Sequence, residues 1–451
     1  MINTLYLPEL REMLAVGDAA GMREFCTALH PGRTAEFMEG LTPVEAWSVL
    51  KAADPQTRVA IFGFFDEEQQ VAILESSDPE ELSQLIADMP PDDRVDLLKR
   101  VDPAIVETVL PLIPAEERRD ILRLRAYPEG TAGAVMTTEV ARLPETLTVR
   151  AALEEIGRQA KDLETIYYIY IVDHENHLRG LVSARQLVTH LGRPETLLSD
   201  LMKRDLVTVE AFDDQETVAE KVADFDFLAI PVVDDEQHLV GIITYDDVID
   251  VLQEEATEDA YLAGAVEPLT DSYLATPWFR LSRHRAGWLA ILFGTALFTV
   301  LLLQSYNQTL QKTAWLAWFV PLVISSGGNS GSQSATLIIR ALTIKEISPA
   351  DWLTVLWREL RVGLLLGAFM GVFGFAISYI LTGLFTGALV LSITLVLVVL
   401  CGALFGSLLP LMFKRMGLDP AFMSTPFVSG AIDILGILLY LSVAMWLLDE
   451  I

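Results

Sequence analysis

The sequence predicts a multidomain integral membrane protein. It would consist of an all-α, superhelical N-terminal domain, an α/β domain with an internal repeat, and a five-helix transmembrane domain. Three observations lead to this fold class. Helix-start signals recur every 12 residues near the N-terminus, two stretches in the middle of the chain resemble each other, and long apolar stretches fill the C-terminal part.

Charge separates the chain into two halves of different character. The whole chain has a net charge of −30, but residues 280–451 contain 10 basic and 7 acidic residues, so the residues before them carry a charge of −33. Such an acidic part excludes nucleic acid as a natural partner, because phosphate binding needs basic patches. Metal cations are the natural alternative.

Cysteine usage and the N-terminus limit the possible classes further. Cys26 and Cys401 are the only cysteines and lie in different halves, which excludes a disulfide framework and a thiolate zinc site. The first residues lack the basic start and apolar run of a secretory signal. We therefore expect the acidic half to stay in the cytosol.

The apolar half contains five stretches that could each span about 30 Å of hydrocarbon. They lie near residues 285–304, 314–340, 355–383, 386–413 and 421–448. Lys and Arg cluster on one side of these spans, with only Lys312 on the other, and such basic loops stay in the cytoplasm. We expect a multi-pass protein of the plasma membrane, in contact with lipid, with its N-terminus in the cytoplasm and its C-terminus outside.

The second span is unusually polar, with the segment PLVISSGGNSGSQSATLIIR at residues 321–340. Small residues allow helices to approach closely, which is the simpler interpretation. The amides of Asn329 and Gln333 near a Gly-Gly pair also suggest a locally opened backbone, which a membrane tolerates only where it is buried or lines a wet cavity.

The fifth span carries Asp433, with no Lys, Arg or His within ten positions on either side. An ionised Asp at mid-helix costs about 2.5–3.5 kcal/mol on insertion scales. One interpretation is a structural hydrogen bond to a Ser or Asn of the second span. The other is a cation or proton site, and Thr425 and Ser429 share a helix face with Asp433.

The available ligands indicate which cation such a site would take. The apolar half has one Cys and, apart from His284 at its edge, no His, so metals that prefer these ligands are not favoured. Carboxylate, amide, hydroxyl and carbonyl oxygens suit Mg²⁺, which gives up its water reluctantly and would be held through its hydration shell. One Asp per chain makes most sense if two chains contribute across a twofold axis.

The first part of the acidic half has a regular 12-residue repeat of turn or cap residues. Its members are Asp18, His30, Thr42, Asp54, Asp66, Asp78, Pro90, Asp102 and Pro114. Many are followed by Pro and by acids in the first turn, which are helix-start signals. The period predicts helices of about two turns that must stack on one another, as a solenoid or as an irregular bundle.

Residues 128–257 contain the internal repeat. YIVDHENHLRGLVSARQLV at 170–188 parallels PVVDDEQHLVGIITYDDVI at 231–249, and each unit predicts a helix, a strand, a turn, a second strand and a helix. This resembles a tandem pair of CBS domains, a regulatory module that often binds nucleotides. The second unit keeps the Gly-x-Ile-Thr-x-x-Asp ending from Gly241 to Asp247, whereas the first has Gln186 in place of the Asp, which argues against nucleotide binding there. For a nucleotide such as ATP, the candidate contacts are Tyr170, Arg185 and Phe227.

Acidic residues form one pointed group in this region. Asp247, Asp250, Glu254 and Glu258 follow one stripe of a predicted helix, with no basic residues between them. Like charges at this spacing repel, so the stripe is either a solubilising surface or a site bridged by metal cations. Further acids of the same domain are Glu216 and Asp226, and a facing cluster upstream is formed by Asp92, Asp93 and Asp96.

Taken together, these parts are similar to the MgtE family of magnesium channels and transporters. The segments that carry the resemblance are PLVISSGGNSGSQSATLIIRAL, EATEDAYLAGAV at 255–266, TIYYIYIVD at 165–173 and DPAFMSTPFVSGAIDILGILLYLSVA at 419–444. The domains implied are a superhelical domain at 1–127, CBS domains at about 135–197 and 198–257 within 128–257, a linking helix at 258–279 and a transmembrane domain at 280–451.

The resemblance implies a homodimer with a Mg²⁺-selective pore that cytosolic Mg²⁺ closes. The pore metal would be held by Asp433, Ser429 and Thr425, where some members have Asn in place of Thr425. The pore lining would include Pro321, Gly327, Gly328, Asn329 and Gln333. The linking helix would close the pore from the cytosol. The regulatory metal ligands would be Glu216, Asp226, Asp247, Asp250, Glu255, Glu258 and Asp259, with Asp92, Asp93 and Asp96.

Two other functions compete with this one. In a proton-coupled cation transporter, Asp433 would carry a proton instead of facing a metal. In a membrane-anchored sensor, the polar segment of the second span and Asp433 would have no purpose. An enzyme is the least supported class, because the sequence has no Gly-rich phosphate loop, metal-ligand His pair or nucleophile motif at useful spacing.

Overall fold

The computed structural model describes residues 5–161, 163–269, 273–274, 276–420 and 425–448. Contacts between residues divide the chain into two compact units, Met1–Leu252 and Gln253–Ile451. The division falls inside a helix, so each unit is described by itself.

The N-terminal part of the first unit consists of ten short helices. They are α1 (Leu7–Val16), α2 (Ala19–Ala28), α3 (Pro31–Met38), α4 (Pro43–Leu50), α5 (Pro55–Gly63), α6 (Glu67–Ser76), α7 (Pro79–Asp88), α8 (Pro91–Arg100), α9 (Pro103–Val109) and α10 (Ala115–Leu124). Each helix from α2 to α10 is preceded by one of the nine predicted cap residues, from Asp18 to Pro114. The predicted helix starts are therefore confirmed.

The short helices form a superhelix because each helix from α2 to α8 packs on the helix two places further along the chain. These contacts join α2 to α4, α3 to α5, α4 to α6, α5 to α7, α6 to α8, α7 to α9 and α8 to α10. The short helices bury a continuous apolar core that includes Met38, Leu50, Phe62 and Ile86, so stacking supplies the stability that two-turn helices lack alone. The all-helical, superhelical N-terminal domain is confirmed.

The internal repeat forms two similar α/β units. The first contains β1 (Val140–Pro144), α11 (Val149–Gln159), β2 (Thr165–Val172), β3 (Leu178–Ser183) and α12 (Ala184–Thr189). The second contains α13 (Leu198–Leu201), β4 (Val209–Glu210), α14 (Gln215–Phe225), β5 (Ala229–Val233), β6 (Leu239–Thr244) and α15 (Tyr245–Ala263). In each sheet the first strand pairs parallel with the second, and the second pairs antiparallel with the third.

Two glycines let the repeat units approach each other at the backbone. A Cβ on Gly180 in β3 would lie 2.9 Å from the carbonyl of Lys203, and a Cβ on Gly241 in β6 would lie 2.7 Å from the carbonyl of Thr137. The chain entering each unit thus runs alongside the third strand of the other unit. A side chain at either glycine would force these backbones apart.

The turns that follow β2 and β5 also meet. The imidazoles of His177 and His238 stack with their ring centroids 4.5 Å apart. Each imidazole lies beside the Asp four residues earlier, Asp173 at 3.1 Å and Asp234 at 2.9 Å. The hydrogen bond with Asp234 raises the pKa of His238. The symmetric turns therefore join the two units through paired rings and carboxylates.

The second unit contains the long apolar helices. They are α16 (Trp278–Ser305), the short α17 (Asn307–Lys312), α18 (Trp315–Thr343), α19 (Trp352–Thr382), α20 (Phe385–Arg415) and α21 (Thr425–Leu447). Among the described residues, four helices are long and apolar enough to cross a membrane: α16, α19 with the turn before it, α20 and α21. The 29-residue α18 is long enough but too polar by this standard, so the five-span count stays a prediction.

The segment expected as a separate linking helix differs from the prediction. Within 258–279, the chain is helical only up to Ala263, where α15 ends, and again from Trp278. Gly264 follows the last helical residue, Ala265 has a left-handed backbone with φ of 54°, and Pro268 lies just beyond. These are ordinary helix stop signals. Residues 270–272 and 275 lie outside the described residues.

Helix α18 is the centre of the membrane unit, because it packs against both α20 and α21. Its contact with α21 is antiparallel. At one end, Tyr440 Oη donates to the carbonyl of Leu316 at 3.0 Å, and at the other, Ser332 Oγ donates to the carbonyl of Thr425 at 3.2 Å. These two bonds fix the register of α18 against α21.

Glycines bring α18 and α20 into backbone contact. A Cβ on Gly402 of α20 would lie 2.5 Å from the carbonyl of Gly327, and a Cβ on Gly406 would collide with the carbonyl of Gly331. Glycines also line the contact of α19 with α20, where a Cβ on Gly367 would lie 2.8 Å from the carbonyl of Val396. Small residues are what such close helix crossings require in a membrane.

We expect Gly406→Ala to destabilise the membrane unit by about 1–3 kcal/mol, because the added methyl group meets backbone that cannot move aside. Thermal unfolding of the purified protein in detergent would measure the change. Gly294→Ala is the matched control, because a Cβ on Gly294 in α16 meets nothing within 4 Å. Equal melting temperatures for the two variants would contradict the close α18–α20 crossing.

Candidate cation sites

Asp433 lies in the middle of α21, against the glycines of α18. A Cβ on Gly328 would lie 3.5 Å from Asp433 Oδ1 and would collide with Ser429 Oγ, one turn before Asp433. Asp433 Oδ1 is buried and has no hydrogen-bond partner among the described residues. The side chains of Ser429 and Asp433 thus meet at α18, and a buried carboxylate oxygen there is left unsatisfied.

One exposed face of α18 carries a proline and three polar residues. Pro321, Ser325, Asn329 and Gln333 recur at every fourth position and are all exposed in the single chain. We call these four residues the polar stripe. Asn329 Nδ2 donates to Ser325 Oγ at 3.4 Å, within the stripe. The stripe is therefore an uncovered polar surface on a helix surrounded by apolar ones.

The two predicted pore-lining glycines of α18 are buried rather than exposed. Gly327 is buried, and a Cβ there would collide with Val398 of α20 and lie 2.8 Å from Ile432 of α21. Gly328 is buried against Ser429. Within the single chain, then, the glycines allow close packing, while Pro321, Asn329 and Gln333 form the open surface.

Thr425 does not lie beside Asp433 but at the first residue of α21. Its hydroxyl donates to the carbonyl of Ala263, the last residue of α15, at 3.2 Å. Its own carbonyl accepts the bond from Ser332. Thr425 therefore joins the end of the acidic helix α15 to both α18 and α21.

In the first unit, α8 faces the start of α15 across a concentration of acids. The members are Asp92, Asp93, Glu164, Asp246, Asp247 and Asp250, which we call the acidic cluster. Asp92 is only 9% exposed, and its Oδ1 has no hydrogen-bond partner in the described ranges. Desolvation, followed by repulsion from Asp247, raises the pKa of Asp92 well above its usual range. Asp92 and Asp93 thus lie close enough to the acids of α15 for their charges to repel one another.

The other members of the acidic cluster are shifted in the same direction. Burial raises the pKa of Glu164 to about 7, with repulsion from Asp247 as the next cause. Burial also raises the pKa of Asp247 to about 6, although Asp247 accepts hydrogen bonds from the amide and hydroxyl of Thr244. Both carboxyls hold their protons more tightly than free ones, because burial disfavours their charged form.

Two nearby basic side chains form their hydrogen bonds or ion pairs outside the cluster. Arg94 is buried, donates to the carbonyl of Met89 and lies 3.7 Å from Glu139, outside the cluster. Lys99 pairs with Asp96 at 2.8 Å. Asp96 is therefore already neutralised, which makes it a poorer candidate ligand than Asp92 or Asp93.

The remaining regulatory candidates are distributed along α14 and α15. Glu216 lies in the first turn of α14, and Asp226 is exposed just after its end, with a left-handed backbone at φ 54°. In the second unit, desolvation and then repulsion from Asp419, Glu255 and Glu258 raise the pKa of Asp259. In the part of the chain that the structure describes, no group of three or more His, Cys, Asp or Glu is arranged to hold a metal ion.

The candidate nucleotide contacts do not converge on a described pocket. Tyr170 is fully buried in β2, and its Oη has no partner among the residues described. Arg185 is exposed, and Phe227 stacks on Phe225 with centroids 5.5 Å apart. Gln186 occupies the position in the first repeat that Asp247 occupies in the second. Its Oε1 accepts a hydrogen bond from the amide of Ser183 at 2.8 Å and so caps its own helix.

Comparison with known proteins decides the family. Residues 320–443 match the family described as a divalent cation transporter, MgtE, residues 29–130 match the MgtE intracellular N domain, and residues 132–193 and 198–254 match CBS domains. The magnesium transporter MgtE of Thermus thermophilus is 39% identical over 73% of this chain and 72% of its own length. The chain belongs to the MgtE family.

Solved structures agree with this membership of the MgtE family. The soluble part of a magnesium transporter is 36% identical and aligns with a TM-score of 0.52, covering 55% of this chain and 97% of its own. The cytosolic domain of the Mg²⁺ channel MgtE in complex with ATP is 35% identical, with a TM-score of 0.50, covering 54% and 98%. With its apolar helices, this MgtE family member is a multi-pass membrane protein.

Sequence reasoning missed three acids that the structure places at these sites: Glu164, Asp246 and Asp419. Glu164 precedes β2, and Asp419 lies in the short connection between α20 and α21. Neither has a local sequence signal, because each joins its neighbours only through tertiary packing. Asp246 adjoins Asp247 and could have been included from its position alone.

We expect the stability of this MgtE family member to fall as pH rises from about 4 to about 7. Free Asp and Glu titrate near about 3.9 and 4.3, so over this range the folded state, with Glu164 at about 7 and Asp247 at about 6, binds more protons than the unfolded state. Thermal unfolding of the purified chain across this range would measure the slope, and Glu164→Gln should flatten it.

A divalent cation should stabilise the acidic cluster at a pH at which its carboxyl groups have lost their protons. Mg²⁺ added at pH 7.5 should raise the melting temperature by several degrees more than at pH 5.5, where the carboxyls are largely protonated. An equal shift at both pH values would argue against cation binding in the acidic cluster.

Proposed function

We propose that this protein is a Mg²⁺-selective channel or transporter of the plasma membrane, in which Asp433 is the selecting carboxylate. The observation that carries the proposal is the buried, unsatisfied Oδ1 of Asp433 at the α18–α21 contact. Intramembrane carboxylates mark ion pathways, and a carboxylate oxygen without a partner among the described residues is available to an ion. The relatives named as magnesium transporters support the choice of ion.

The chemistry around Asp433 favours a hydrated, hard cation. The polar group that meets Gly328 together with Asp433 is the hydroxyl of Ser429, so both groups offer oxygen atoms as ligands. Oxygen donors suit Mg²⁺, and its tightly held water would bridge the ion to a carboxylate. Thr425 would act at the inner end of the path rather than at the selecting carboxylate, because its hydroxyl bonds Ala263.

The polar stripe supports a pore between two copies. Asn329 and Gln333 are exposed on the single chain, and hydrocarbon would leave their amides unsatisfied at a cost of several kcal/mol each. A second chain related by a twofold axis would turn this surface into a water-filled path and bring a second Asp433 to it. We therefore propose a homodimer with Pro321, Asn329 and Gln333 along its pore.

Regulation by cytosolic Mg²⁺ would follow from the repulsion among the acids. Without bound cations, the charge of −33 favours separation of the acidic elements, and cations that bind the compact arrangement more tightly shift the population toward it. The proposed ligands are Asp92, Asp93, Glu216, Asp226, Asp247, Asp250, Glu255, Glu258 and Asp259. The Thr425–Ala263 hydrogen bond supports a role for the end of α15 in closing the pore.

The remaining parts of the proposal concern organisation. We place the N-terminus in the cytoplasm and the C-terminus outside, and divide the chain at about residues 127, 257 and 279. We propose that ATP binds at the CBS units, which the ATP complex of the similar cytosolic domain supports. Of the candidate contacts, Arg185 and Phe227 are accessible in the chain, whereas Tyr170 is fully buried. We assign no enzymatic activity.

We expect Asp433→Ala to reduce Mg²⁺ uptake into proteoliposomes at least about ten-fold, which corresponds to about 1.4 kcal/mol of lost ion stabilisation. Ser442→Ala is the control, because Ser442 is an exposed polar residue of the same helix. Full uptake by Asp433→Ala would refute the assignment.

Asp433→Asn, measured with and without a pH gradient, separates the channel from a proton-coupled transporter, since only the latter loses pH coupling.

We expect Asp247→Ala with Asp250→Ala to leave the channel open at cytosolic Mg²⁺ concentrations that close the wild type. The half-inhibiting concentration in patch-clamp recordings should rise at least about five-fold, the lower limit of typical coupling energies. Asp235→Ala with Glu236→Ala removes the same charge from an exposed turn outside the cluster and should change nothing. Unchanged inhibition of the first variant would contradict the sensor assignment.

A further inference from the structure

A second carboxylate of the membrane unit, that of Glu359, contacts α18 on the face opposite the polar stripe. Ser334 Oγ donates a hydrogen bond to Glu359 Oε2 of α19 at 2.8 Å. Ser334 is 7% exposed and lies on the face of α18 opposite the polar stripe. Glu359 is half-buried. This contact serves neither the Asp433 site nor the acidic cluster.

Helix α19 offers a fixed reference point for this bond. Gly363, one turn after Glu359, would place a Cβ 3.0 Å from Leu400 and 3.2 Å from Ala403 of α20, so the two helices are in close contact there. Gly367, one turn further, approaches the backbone of Val396. A group on this turn of α19 is therefore held in place relative to α20.

Helix α18 meets α20 through glycines and through apolar side chains. Gly327 allows close approach, and Val323 belongs to the same buried cluster as Val398 of α20. Apolar packing is not directional, so hydrogen bonds contribute the directional part of the orientation of α18. Two are present on this face: Ser330 Oγ donates to the carbonyl of Val399 at 2.9 Å, and Ser334 Oγ donates to Glu359. The second has a carboxyl oxygen of another helix, α19, as its acceptor.

We propose that Glu359 is a positioning residue that sets the direction of the polar stripe through Ser334. Successive residues of an α-helix are rotated by about 100°, so fixing Ser334 also fixes Gln333 beside it and Asn329 one turn earlier. Glu359 itself does not contact the stripe. The proposal rests on the proposed transport function, because a correctly oriented stripe matters only if ions pass along it.

The experiment compares ion discrimination among variants of the full-length protein in liposomes. The measured quantity is the ratio of Mg²⁺ to Ca²⁺ uptake, because a folding defect lowers uptake of both ions equally and leaves the ratio unchanged. Ser334→Ala and Glu359→Ala should each lower the ratio about ten-fold. The double variant should be no worse than either one, since both changes remove the same bond.

Two further variants sharpen the comparison. Glu359→Gln keeps an acceptor oxygen for Ser334 and should retain a ratio within about two-fold of the wild type. Glu346→Ala removes an exposed acid from the connection before α19 and is the matched control. If Glu359→Ala does not fold, Ser334→Ala and Glu359→Gln still decide the question.

Several results would overturn the proposal. They are an unchanged ratio in both single variants, effects that multiply in the double variant, and a loss in Glu359→Gln without one in Ser334→Ala, which would mean that the carboxylate acts on the ion directly. Hydrogen exchange over residues 325–340 should increase several-fold in Ser334→Ala whether or not the protein transports Mg²⁺. Increased exchange in a protein whose wild type takes up no Mg²⁺ would reject the proposed function alone.

Discussion

A buried carboxylate oxygen with no partner among the described residues is the constraint on which the membrane unit depends. Asp433 can occupy its place only because Gly328 leaves room beside it, and Gly328 reaches it only because α18 and α21 are pinned at both ends by Tyr440 and Ser332. Leaving a buried polar atom unsatisfied costs about 1–3 kcal/mol. A chain that keeps this cost gains an oxygen that an ion can use.

The acidic cluster of the first unit also contains buried carboxyl groups. Asp92 Oδ1 is buried and has no hydrogen-bond partner among the described residues, and burial raises the pKa of Glu164 to about 7 and that of Asp247 to about 6. Arg94 and Lys99 are close in sequence but bond elsewhere, to Met89 and Asp96. Both units thus contain a buried carboxyl oxygen without a partner among the described residues, one where α18 meets α21 and the other where α8 meets α15.

Sequence patterns predicted the features that depend on residues close together in the chain. The nine cap residues from Asp18 to Pro114 and the repeat through Gly180 and Gly241 set the elements of the first unit, and Asp433 was evident as an uncompensated charge in an apolar span. The end of α15 at Ala263 was also readable, from Gly264 and Pro268, but was missed. The sequence could not predict contacts between segments far apart in the chain. These include the hydrogen bond of Thr425, the burial of Gly327 and the proximity of Asp419 to Asp259.

The polarity of α18 has a consequence for biosynthesis. The ribosome makes α18 before α20 and α21, the two helices that cover its glycine face. On leaving the translocon alone, its hydroxyls and amides would meet acyl chains with no neighbour to bond them, and partitioning scales penalise such a segment. Stable integration of α18 would therefore await later parts of the chain, and the nascent protein would pass through an intermediate in which this helix stays shielded by the insertion machinery.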